Sequence, residues 1–126
     1  MLLNLTLAWL WIVLGFVSGL LLGLFFHHDH WLGGYTSFKR RLYRLAHISF
    51  FGLATVNFLF YFTAREFGVG SPATVIASWG FILGAVSMPA CCLLLAHQPG
   101  LRALFLIPVL SLVTAGTLTL WKVAKL

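Results

Sequence analysis

Histidine is the residue of this sequence best suited to chemistry, and four of the five lie in one stretch, as His27, His28, His30 and His47. Asp29 sits among the first three, Lys39, Arg40, Arg41 and Arg44 precede His47, and His97 stands apart. An imidazole can ligate iron or another metal, hydrogen-bond a quinone, or carry a proton. A b-type heme held by two histidines needs imidazoles from different helices facing each other, small residues beside the macrocycle and cations for its propionates. For that role the sequence offers His47 opposed to His27 or His97, with Arg40, Arg41 and Arg44 for propionates or anionic lipid headgroups. A quinone ring asks for a hydrogen-bonding histidine near the membrane interface with apolar walls, which His47 supplies together with Arg44, Tyr43, Phe50 and Phe51. For a transition metal the expected ligands are His27, His30 and His47, although tightly spaced histidines normally need a second cluster to close a site.

Composition says which elements must position these side chains. The chain is 61% hydrophobic and 8% charged, with a mean hydropathy of +1.02, whereas soluble domains are roughly one-quarter charged. Each membrane crossing takes about 20 residues, so 126 residues suit four crossings. The expected fold is all-α: a single polytopic membrane domain, residues 1–126, of four transmembrane helices in an antiparallel bundle. The spans are expected at about 2–26, 45–62, 73–96 and 101–120. The long connection from His27 to Arg44 carries Trp31, Tyr35, Phe38 and Tyr43, which suits a segment lying in the interface. Trp9 and Trp11 are expected at headgroup level. Pro89 and Pro108 are expected to kink their spans, since each removes a helical hydrogen bond.

Glycines four apart fall on one helix face and let a neighbour approach the backbone. Gly15, Gly19 and Gly23 form such a stripe on span one and lead at the same spacing into His27. Gly80 and Gly84 repeat the device on span three. Asn57, in the middle of span two, must face protein, because a carboxamide facing lipid costs several kcal/mol. With four spans, all the histidines reach one membrane face. That face carries Lys39, Arg40, Arg41, Arg44 and Arg102, against Arg65, Lys122 and Lys125 on the other. The positive-inside rule then puts the histidine-rich connection in the cytoplasm and both termini outside, in a bacterial inner membrane.

Several functions are disfavoured. The cations sit at span ends, where membrane proteins keep them, so nucleic acid is not the expected partner; lipids and other membrane subunits are. The only acids, Asp29 and Glu66, lie outside the spans, which argues against proton-coupled export. No nucleophile–base pair, phosphate loop or HExxH motif supports a hydrolase. Cys91 and Cys92 are adjacent in an apolar run and form no metal-binding pair. Asn4-Leu5-Thr6 and Ala124-Lys125-Leu126 match a glycosylation sequon and a peroxisomal address only as three-residue motifs. In span number and histidine placement, the layout resembles the small membrane anchors of quinone-linked respiratory enzymes. The expected function is a small membrane subunit of an electron-transfer complex, with histidines for a heme b or quinone site. The alternatives are a cofactor-free accessory subunit and a small homo-oligomeric channel or transporter.

Overall fold

Apolar runs and capping residues set the helix boundaries. In the computed structural model, which describes residues 1–126, the chain forms four α-helices: α1 (Leu2–Phe25), α2 (Phe38–Phe67), α3 (Pro72–His97) and α4 (Leu106–Val123). Ser37 caps α2 by accepting from the Arg40 N–H at 3.2 Å, and Ser71 caps α3 by accepting from the Thr74 N–H at 3.3 Å. Pro72 follows that cap as the first residue of α3, where its missing N–H costs nothing. All four helices are long and apolar enough to cross a membrane, the last counted with the 3-10 turn Pro99–Phe105 ahead of it.

Three boundaries differ from expectation, one of them the end of α2, which runs past residue 62 to Phe67 and so takes Arg65 and Glu66 into its last turn before Gly68 stops it. α2 begins at Phe38 rather than near residue 45, because Ser37 caps it there and the basic residues that follow are good helix formers. The basic segment is thus the first two turns of a helix, and the α1–α2 connection shortens to residues 26–37. The fourth span opens with a 3-10 turn and becomes α-helical only at Leu106.

α2 and α3 form the centre of the bundle. α1 packs on α2 and α4 on α3, and each reaches the other central helix only lightly. The outward faces of α1 and α4 expose Phe16, Leu20, Leu110 and Leu120 to between 60% and 68%, a surface suited to lipid. Glycines bring the helices close: a methyl group added at Gly15 would stand 2.6 Å from the Phe51 ring, and one at Gly80 would stand 2.8 Å from Ala115 Cβ. Leu112 fills the notch at Gly84.

Asn57 is buried and joins three helices. Its Oδ1 accepts from Asn4 Nδ2 at 2.9 Å, Ser78 Oγ donates to Asn4 Oδ1, and Asn57 Nδ2 donates to the Leu53 carbonyl at 2.9 Å. Every carboxamide atom of this network has a partner, as a buried polar group in a bundle requires.

Trp11 is not at headgroup level. It is buried mid-bundle, and its indole N–H donates to the Ala85 carbonyl at 2.8 Å. Pro89 explains the contact, since it lies four residues beyond Ala85 and has no N–H to offer that carbonyl. Near Pro108 the chain does something similar: the Cys91 thiol donates to the Leu104 carbonyl at 3.4 Å. Trp11→Phe should therefore cost about 1–3 kcal/mol in the natural chain by leaving the Ala85 carbonyl without a donor. In a Pro89→Ala background, where residue 89 regains its N–H, the same change should cost clearly less. A double-mutant cycle on denaturant unfolding in micelles checks this, and equal costs in both backgrounds would refute the pairing.

Candidate functional site

α1 ends at Phe25 without a basic residue in its last turn, so its final carbonyls need donors from elsewhere. Beside the Tyr35 hydroxyl, which donates to the Phe26 carbonyl, Arg40 from the first turn of α2 adds donors there. Its Nη2 donates to the carbonyls of Phe26 at 2.9 Å, His28 at 3.0 Å and Phe25 at 3.5 Å. The guanidinium lies 4.1 Å from the Tyr35 ring centre, 4.9 Å from that of Phe26 and 5.4 Å from that of Trp31. Arg40 is 0% exposed, and its Nε and Nη1 have no hydrogen-bond acceptor, so the aromatic faces are what balance the charge. The connection is thus wound around one arginine, through the left-handed turn Leu32, Gly33 and Gly34, with φ of 52°, 86° and 98°. Arg40 is committed to the fold, whereas Arg41 is exposed and Arg44 lies half-buried on the α1-facing side.

His47 lies further along α2, in the contact with α1. Gly19 makes room for it: a methyl group there would be 2.9 Å from His47 Cε1. Ser18 fixes the ring, with 2.8 Å between its Oγ and His47 Nδ1, and Phe51 meets it edge-on at 5.5 Å. His47 Nε2 has no partner in the protein and is not enclosed. Two hollows adjoin the imidazole. On the Ser18 side is a cavity of about 260 Å³ walled by Leu21, Phe25, Trp31, Tyr43, Phe50 and Leu93. On the Gly19 side is a hollow of about 310 Å³ bounded by Gly23, Phe26, Arg44 and Ile48. Gly23 bounds that second hollow without touching anything, since nothing lies within 4 Å of an added methyl group.

The chain matches no known protein family, characterised protein or solved structure.

The remaining histidines are placed differently. His97, at the end of α3, is exposed, and its Nε2 lies 2.7 Å from the Tyr43 hydroxyl, a tie between α2 and α3. His27 stacks on His28 at 4.3 Å between ring centres, and these two and His30 are exposed just beyond α1. No three His, Cys, Asp or Glu side chains gather as a metal site would require, so His27, His30 and His47 do not converge. A bis-histidine heme held by this chain alone fits poorly. The clearance at Gly15 and Gly19 is filled by Phe51 and His47 themselves, and the Nε2 atom of His97 is engaged by Tyr43. What stays open is one imidazole nitrogen, a guanidinium one turn away on the same helix, and the bare backbone at Gly23.

Asn4 is the buried residue that sequence reasoning missed. Its only signal was a polar side chain early in an apolar span, where it reads as part of a three-residue sequon match. Ser18 was missed for the same reason, as a small hydroxyl among glycines.

Proposed function

We propose that this protein is a small integral membrane subunit of an electron-transfer complex and that its α1–α2 contact holds the ring of a lipid-soluble quinone. The observation that carries the reading is His47 Nε2, a fixed and unpartnered imidazole nitrogen that borders an apolar hollow within a membrane-spanning bundle. A quinone head needs little more than one oriented hydrogen-bonding group, apolar walls and entry from the lipid. Bound there, a quinone–hydroquinone pair would supply two-electron redox chemistry; His47 would hydrogen-bond a ring oxygen in one of the two forms, and Phe26 and Ile48 would exclude water. The membrane is proposed to be a bacterial inner membrane with both termini outside, following the distribution of cations.

A photoactivatable short-tailed quinone tests the site. Its label should fall on residues 18–26 and 44–48, and excess unlabelled quinone should compete it away. Label spread evenly over the lipid-facing helices would count against the proposal. In the same membranes, a cysteine placed at Lys125 should react with an impermeant thiol reagent from outside, and reaction only from the cytoplasmic side would reverse the orientation.

A second reading, a cofactor-free accessory subunit, has its own support. α4 touches α2 only lightly, which leaves a hollow of about 420 Å³ edged by the small residues Thr63, Gly116 and Thr119. A helix of a larger membrane subunit would fit there.

A further inference from the structure

The hydrogen bonds around His47 discriminate between the two redox forms of a ring ligand. Ser18 has one hydroxyl proton and two neighbours, the Gly15 carbonyl at 3.0 Å and His47 Nδ1 at 2.8 Å. Both contacts are hydrogen bonds in only one arrangement of a neutral imidazole: Ser18 donates to Gly15, and His47 donates from Nδ1–H to Ser18 Oγ. The opposite tautomer would turn the Ser18 proton away from Gly15. The arrangement that satisfies both contacts leaves Nε2 with a lone pair and no hydrogen. Such a nitrogen cannot donate to a quinone carbonyl, but it can accept from the hydroxyl of a hydroquinone.

Charge points the same way. Arg44 precedes His47 by three residues, so it stands on the same face of α2 and bounds the same hollow. Its one side-chain hydrogen bond is a long one, from Nη2 to the Tyr35 carbonyl at 3.5 Å. Neither acid of the chain, Asp29 or Glu66, bounds this hollow. A site with a proton acceptor and an uncompensated cation favours a ring oxygen that is losing its proton.

We propose that the groove takes the hydroquinone form, with His47 Nε2 accepting the proton of one ring hydroxyl and Arg44 steadying the oxygen left behind. In that step the ring O–H bond breaks and an Nε2–H bond forms. The oxygen keeps the electron pair, so the products are a ring monoanion and an imidazolium, and no electron moves. The inference rests on the quinone reading above and goes further by naming the form bound and the direction of the proton.

The test compares a short-tailed benzoquinone with its hydroquinone, the latter kept reduced under anaerobic conditions, by titration of the whole chain in lipid nanodiscs. The wild-type protein should bind the hydroquinone about fivefold or more tightly than the quinone, a ratio equivalent to about one hydrogen bond. Ser18→Ala removes the oxygen that holds Nδ1–H and frees His47 to present either tautomer, so the preference should shrink toward one. Equal binding of the two forms by wild type, or tighter binding of the quinone, would overturn the inference while leaving the quinone site in place. Saturable binding of neither form would overturn the site itself, and the inference with it.

Discussion

Arg40→Gln should destabilise the protein by about 3 kcal/mol and loosen the connection between α1 and α2. The natural guanidinium does three things at once in that connection. It donates to the carbonyls of Phe25, Phe26 and His28, carries its charge among three aromatic rings, and holds the first turns of α2 against the end of α1. Charge-assisted bonds contribute about 1.5–3 kcal/mol and a desolvated cation–π contact about 2, and their overlap on one side chain keeps the total below the sum. Glutamine is shorter and uncharged, so it replaces neither the reach nor the ring contacts. Arg40→Lys should recover only part of the loss, because an ammonium lacks the planar fork that lies among the rings. Denaturant unfolding in micelles measures the cost, and limited proteolysis across residues 26–37 measures the loosening. A cost below about 1 kcal/mol with unchanged proteolysis would mean that the ring cage is incidental.

Much of the architecture could be read from residue types. Apolar runs of membrane-crossing length, broken by Gly33-Gly34, Gly68-Val69-Gly70 and His97-Gln98-Pro99-Gly100, give four helices, and spacing-four glycines mark where helices touch. Other features needed coordinates, because they depend on which backbone groups lack partners. Trp11 reads as an interface residue by type, yet the carbonyl that Pro89 leaves free draws it into the centre of the bundle. Arg40, Arg41 and Arg44 look alike in sequence, but of the three only Arg40 donates to the carbonyls at the end of α1. The glycine stripe was equally ambiguous. Side chains of α2 fill the space at Gly15 and Gly19, and although Gly19 and Gly23 both edge the hollow, only Gly23, the last of the three, has nothing standing over it.

That last glycine allows the candidate site to be blocked without disturbing the fold. Gly23→Leu should abolish saturable ring binding, because the new side chain would occupy the hollow beside His47. It should leave stability unchanged or slightly higher, since nothing lies within 4 Å of the new Cβ and leucine is a better helix former. His47→Leu keeps the bulk of the imidazole but removes Nε2, and should weaken binding about tenfold or more, the effect of losing one oriented hydrogen bond in an apolar setting. The two variants act by different means, one steric and one polar, on the same roughly 310 Å³ of space.

The measurement that bears most directly on the central claim is a titration of a short-tailed hydroquinone into nanodiscs holding wild type, His47→Leu and Gly23→Leu, read by quenching of tryptophan fluorescence. The geometry predicts saturable binding to wild type, at least about tenfold weaker binding to His47→Leu, and none to Gly23→Leu, with all three proteins equally folded. Indistinguishable curves for the three would contradict it, and would leave the α1–α2 contact as packing and the chain as a scaffold for a larger membrane partner.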